Sequence, residues 1–161
     1  VDRGYSQHGP HLDELEIAYG DNDPDGYRVG YNRFGPQIGA SAMGATVYEL
    51  NEGQSICPYH YEYGCEEWAI VLRGRPTLRH PNGEDMLEPG DVVCFPEGPE
   101  GAHKLTNTAA ETVRVMLLSD KPSLAVAVYP DSGKIGIFPS GEEDKIMVRR
   151  ESAVDYFDGE L

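Results

Sequence analysis

The stretch GQSICPYHYEYGCEEWAIVLRG, residues 53–74, decides the fold. Its second half alternates strictly, with Trp68, Ile70 and Leu72 on one face and Glu67, Ala69 and Val71 on the other. A period of two is the signature of a β-strand, and Gly74 ends it. Glu67 heads a face whose other members are small and apolar. A carboxylate in that position is costly to bury unless a cation or a hydrogen-bond donor meets it. Upstream, His60 and Glu62 stand two residues apart, so an extended chain projects them together and turns Tyr61 away. The intervening Tyr63-Gly64-Cys65-Glu66 is long enough to turn the chain back and bring Glu67 alongside them.

The strand-and-turn pattern continues outward from this stretch. Residues 45–50 read as a strand closed by the turn signal Asn51-Glu52-Gly53. Residues 77–80 lead into Pro81-Asn82-Gly83, a hairpin turn, and then into a strand over residues 85–87. Glu88-Pro89-Gly90 is a second turn, before a strand over residues 91–95. Further strands are expected at residues 103–107, 113–119, 125–129 and 134–138. About nine or ten short strands at this spacing predict an all-β sandwich or barrel. Only the tail from residue 150 to 161 carries a helical hint. Residues 1–25 are polar and read as a flexible N-terminal arm, and residues 26–161 as a single barrel with its patterned core at 45–119. The run Asp21-Asn22-Asp23-Pro24-Asp25 lacks the spacing and closing Glu of a calcium loop and reads as solvated, with His8 and His11 in the same arm unliganded.

Composition narrows the class of function. With 28 acidic against 13 basic residues, the formal charge of −15 repels phosphate backbones and anionic lipid heads. Neither a nucleic acid nor a membrane is therefore an expected partner, and no stretch is long and apolar enough to span a bilayer. The chain opens on polar residues rather than an apolar leader, and Cys57, Cys65 and Cys94 form no CxxC pair. Both features lead us to expect a reducing, cytoplasmic location. Cys57 and Cys94 sit in apolar company and read as small hydrophobes, with a role beside the site as the alternative.

The grouping of His60, Glu62 and Glu67 invites a cation, and His103 offers a fourth arm from a later strand. Imidazoles mixed with carboxylates suit one divalent ion of Mn, Fe, Ni, Co or Zn, and two Glu ligands bias the choice toward harder ions. Taken singly, each residue reads as an ordinary surface group; as a set with this spacing they read as ligands. Tyr59, Tyr61 and Tyr63 surround the set and are expected mainly to pack. Arg73 and Arg79 are candidates for holding a carboxylate substrate, though an exposed arginine on a strand is the commoner case. His80 is expected at the solvent-exposed end of a hairpin.

At this point the sequence resembles the cupin superfamily. Residues 53–74 resemble its first motif, with His60, Glu67 and Gly74 on the His, Glu and Gly positions. Residues 90–107 (GDVVCFPEGPEGAHKLTN) resemble its second, with Gly90, Pro96, Gly98, His103 and Asn107 in place. The remainder is similar to a group of bacterial single-domain cupins without a settled function. The resemblance implies a double-stranded β-helix, or jelly roll, holding a metal inside the barrel mouth. Two departures stand out. Glu62 replaces the second His of the first motif, so it either adds a negative ligand or turns outward and leaves three. Four residues rather than two separate Gly98 from His103, which preserves strand parity and lengthens a loop at the mouth.

These readings favour a metal-dependent enzyme acting on a small polar metabolite, by dioxygenase, isomerase, decarboxylase or lyase chemistry; no catalytic residue beyond the ligands is assigned. The alternative is a non-catalytic small-molecule-binding barrel acting as sensor or store. A DNA-binding regulator is disfavoured because no basic helical segment precedes the barrel. Metal-independent sugar epimerases of the same superfamily are disfavoured because they do not need this ligand set. A homodimer is expected by analogy, with residues 28–40 as a strand available for exchange.

Overall fold

The alternation at residues 67–73 is realised as a strand whose two faces meet different surroundings. Ala69 and Val71 are completely enclosed, whereas Trp68 on the opposite face is 45% exposed. Glu67 therefore heads the inward face. The computed structural model describes residues 9–20, 22–141 and 143–160. In these the strands are β1 (Ala18–Tyr19), β2 (Gly30–Asn32), β3 (Met43–Leu50), β4 (Tyr61–Tyr63), β5 (Glu67–Arg73), β6 (Thr77–His80) and β7 (Gly83–Met86). They continue with β8 (Val92–Phe95), β9 (Lys104–Thr106), β10 (Val113–Asp120), β11 (Leu124–Tyr129), β12 (Lys134–Pro139) and β13 (Ile146–Arg149).

All pairings are antiparallel, in three sheets ordered β1-β2-β3-β10-β5-β8, β13-β12-β11-β4 and β7-β6-β9. The architecture is the all-β jelly roll expected from the sequence. Its interior is filled by Leu50, Ala69, Val71, Leu78, Phe95, Leu105, Val113 and Val115, contributed by both ends of the pattern. Gly74 closes β5 with φ of 74°, and a Cβ there would lie 2.8 Å from a Val113 methyl. Only glycine meets both demands.

Several elements differ from the sequence reading. Strands β1 and β13 were not anticipated, being short or lacking a clear alternation, whereas β2 falls within the 28–40 segment and β4 overlaps the extended stretch at His60 and Glu62. The helical hint after residue 150 is realised only as a 3₁₀ turn, Arg150–Ser152, followed by exposed turns. Cys94 faces solvent rather than apolar neighbours, because β8 presents it on the outer side.

Residues 1–8 of the N-terminal arm, including His8, and residue Asp21 of the acidic run lie outside the described residues. Further along, Leu15 is buried with Phe34, Ala45 and Val47, and Leu12 and Ile17 pack beside it. These apolar residues cover the outer face of the β3, β5 and β10 sheet, where Leu72, Met116 and Leu118 point. Arg114 Nη1 donates to the Asp13 carbonyl at 3.0 Å, and Asn32 Nδ2 donates to that of Glu16 at 2.7 Å. His11 lies 3.9 Å from Asp13 at the surface. Within residues 28–40, β2 pairs with β3 of the same chain.

Asn107, at the end of the second motif, ties the ends of several strands together. Completely buried, its Nδ2 donates to the Leu50 carbonyl at 2.9 Å and the Glu111 carbonyl at 2.8 Å, while Oδ1 accepts from the Ala109 amide at 2.9 Å. Asn107→Ala would strand these backbone groups without water. We expect a loss of about 2–4 kcal/mol in urea unfolding; a change below about 0.5 kcal/mol would show that Asn107 does not hold this corner.

Candidate metal centre

An isolated antiparallel bridge brings two histidines from distant parts of the chain together. The His60 amide donates to the His103 carbonyl at 3.2 Å, and the His103 amide donates to the His60 carbonyl at 2.8 Å. Their ring centroids are 4.8 Å apart, and both residues are buried. Each Nδ1 faces a carbonyl: Pro58 O at 3.0 Å from His60, and Gly101 O at 2.9 Å from His103. A carbonyl only accepts, so each Nδ1 carries the proton and each Nε2 keeps its lone pair.

His103 Nε2 is buried and has no hydrogen-bond partner among the described residues. The Glu67 Oε2 atom lies 3.6 Å from it. Burial, with the nearby His60 adding to it, pushes His103 down to about 4, and burial also lowers His60. Both rings are thus neutral, as ligands must be. Glu67 moves the other way: burial and then the charges of Glu62 and Asp120 push its carboxyl up to about 7. A buried lone pair without a donor, facing a carboxyl crowded by other carboxylates, is an arrangement that a cation relieves.

Glu62, in β4 opposite Ala127 of β11, joins Glu67, His103, Cys65, Phe95, Pro96 and Gly101 in lining one narrow cleft. The side chain of Glu62 therefore turns inward. His60 lies immediately behind His103. Of the four residues singled out from the sequence, Glu62, Glu67 and His103 line the cleft, while His60 contacts the His103 ring from outside its lining. The longer spacing before His103 also acquires a role. Residues Pro99–Gly101 form a 3₁₀ turn, and its last carbonyl is the one that holds His103 Nδ1. A Cβ on Gly101 would fall 1.8 Å from the Pro96 carbonyl oxygen, so no larger residue fits that turn.

Other contributors were not legible in advance. The ring of Phe95 stacks on His103 at 3.7 Å and 9°, and that of Tyr129 on His60 at 5.6 Å and 19°. Cys57 Sγ lies 3.5 Å from His60 Nδ1, and Cys57, His60 and His103 offer donor atoms within 4.8 Å of one another. Burial, reinforced by Glu67 and Glu62, pushes the Cys57 thiol well up. The nearest sequence signal for it was its place in Cys57-Pro58-Tyr59-His60, where Pro58 turns the chain between thiol and ring.

The arginine candidates are engaged elsewhere. Arg79 makes a two-pronged bond to Asp131 at 2.6 and 2.9 Å and lies 3.9 Å over the Tyr59 ring. Arg73 pairs with Glu49 at 3.7 Å, and His80 with Asp85 at 3.1 Å. Tyr59 is buried and Tyr63 is largely exposed.

Residues 46–119 match the family model for the cupin domain. No curated protein matches the chain significantly. Among solved structures, the chain is similar to a proposed sugar phosphate isomerase from Acidithiobacillus ferrooxidans, at 24% identity and a TM-score of 0.79, over 89% of this chain and 91% of that one. A cupin-superfamily sugar phosphate isomerase from Silicibacter pomeroyi gives 22% identity and a TM-score of 0.77, over 92% and 96% of the two chains. A predicted oxalate decarboxylase from Thermotoga maritima gives 18% and 0.56, over 68% and 96%. At these identities the likeness is one of fold.

The stack of Phe95 on His103 suggests a direct check. Phe95→Leu keeps an apolar side chain but removes the flat partner. It is expected to cost about 1–2 kcal/mol in urea unfolding and to shift the His103 ring resonances in NMR spectra. Unchanged His103 resonances would show that the stack does not position the ring.

Proposed function

Because the chain belongs to the cupin superfamily, and its barrel mouth gathers two neutral imidazoles and two carboxylates, we propose that it is a metalloenzyme acting on a small polar metabolite. His60, Glu62, Glu67 and His103 would hold one divalent ion of Mn, Fe, Ni, Co or Zn. The observation that carries this reading is the buried lone pair of His103 Nε2, 3.6 Å from Glu67 and without a hydrogen-bond partner among the described residues. Such an ion supplies Lewis acidity and open positions for an oxygen of the substrate.

The chain's own groups prepare that chemistry. Pro58 and Gly101 fix the tautomers, so that both rings present Nε2. Phe95 and Tyr129 hold the rings from behind and exclude water from them. Glu62 and Glu67 would offset the charge of a divalent cation, which would in turn compensate the burial and the carboxylate repulsion that raise Glu67. Cys57 has its sulfur near the Nδ1 of His60, the nitrogen already engaged by Pro58, and supports that ring from the same side. The reactions named for the structural relatives differ among themselves, and fold does not select one.

A second reading, a barrel that binds a small molecule without turnover, is favoured by one observation. Beyond the proposed ligands, the only titratable side chain lining the cleft among the described residues is Cys65. Burial keeps its thiol protonated, with Asp120 and Glu62 adding to the effect. Metal-dependent conversion of any bound compound separates the enzyme from the binder.

Elemental analysis of the purified protein is expected to give near one equivalent of one of these metals. A His60→Ala, Glu67→Ala double variant, checked for folding by circular dichroism, should lose it. Absence of metal in the unaltered protein, even after incubation with all five ions, would overturn the reading. The proposal includes a homodimer: light scattering on the 17.7 kDa chain should return twice that mass, and the mass of a monomer would remove this part.

A further inference from the structure

The walls of the cleft carry an unusual charge balance. Of its lining residues, Glu62 and Glu67 are acidic and none is Lys or Arg. Two more carboxylates stand close by. Asp120 acts electrostatically on Glu67, and its Oδ1 accepts from the Glu66 amide at 3.0 Å. Glu97 Oε2 accepts from the Gly64 amide at 2.7 Å. These donors are neutral, so they orient the carboxylates without cancelling their charge. The carboxylate of Glu66 turns instead to Trp68 Nε1 at 2.9 Å, on the outer face of the sheet. Among the described residues, none of the four pairs with Lys or Arg.

Two nearby cations, Arg79 and Lys104, are engaged outside the cleft, and Lys134 lies 5.1 Å over the Tyr129 ring without lining the cleft. Arg79 is held by Asp131. Lys104 lies 5.4 Å over the Tyr27 ring and lines a separate cleft with Thr77, Arg79, Glu84, Thr106 and Thr108. The field of Lys104 is felt at Cys57, where it opposes the rise of the thiol. What makes the acidic cluster a site is His103 Nε2, which belongs to a residue only 3% exposed and lines the same cleft without a partner.

A bound divalent ion would offset two of these four negative charges and leave the mouth acidic. We infer that the centre takes a small ligand without anionic groups, hydroxyl- or amine-bearing, and discriminates against phosphates and carboxylates. This inference rests on the metal reading above. It also sets the chain apart from what the names of its structural relatives suggest, since sugar phosphates and oxalate are anions.

The test uses the full chain loaded with Mn²⁺ and titrated with inorganic phosphate or glycolate. Water-proton relaxation reports displacement of metal-bound water. Both anions should bind no more tightly than they bind aqueous Mn²⁺. Glu97→Gln and Asp120→Asn each keep an acceptor oxygen for the backbone amide while removing a charge. Each should raise anion affinity about threefold at low salt, with the gain shrinking as salt is added. Anions that bind the unaltered protein more tightly than aqueous Mn²⁺, or variants that leave their affinity unchanged, would overturn the inference. Manganese is counted in the same samples. A protein that holds none removes the metal reading and this inference together, and the count distinguishes that result from anion binding at a loaded site.

Discussion

The reciprocal backbone bonds between His60 and His103 are the constraint on which the rest of the centre depends. They join a segment entering β4 to one entering β9, and so place two imidazoles side by side in the interior. Once there, the rings cannot reach water, and their hydrogen-bonding capacity has to be met by protein groups. Two carbonyls take the Nδ1 protons, and two aromatic rings cover the flat faces. What is left over is a lone pair directed at a carboxyl. Packing, tautomer and electrostatics thus lead to one conclusion from a single pairing of strands.

The acidic side chains have two different roles in this arrangement. Glu62 and Glu67 crowd each other inside the cleft, an arrangement a cation relieves. Glu97 and Asp120 brace the turns around the mouth by accepting from neutral N–H groups. Their charge then persists as a field across the opening. The net charge of the chain alone would not have shown this, because surface acids usually serve solubility. Location converts a bulk property into selectivity.

Much of the framework was legible from local pattern. The strict alternation at residues 67–73 gave both the strand and its buried face, because side chains of a strand must point to opposite sides. Turn residues such as Pro81-Asn82-Gly83 marked the hairpins for the same local reason. Strands β1 and β13 escaped notice, since two and four residues give too few repeats to display a period. The segment around Leu12, Leu15 and Ile17 was likewise hidden among polar neighbours, and only the apolar outer face of β3, β5 and β10 reveals what those residues cover.

The sequence by itself determined the all-β jelly roll and put His60, Glu62, Glu67 and His103 forward as candidates, because strand parity and motif spacing are properties of neighbouring residues. The tertiary structure alone decided the inward turn of Glu62, the stacking of Phe95 and Tyr129, the nearness of Cys57 and the commitment of Arg79 to Asp131. Each of these is a contact between segments far apart in the chain. Its geometry depends on how the sheets close, which no local pattern encodes.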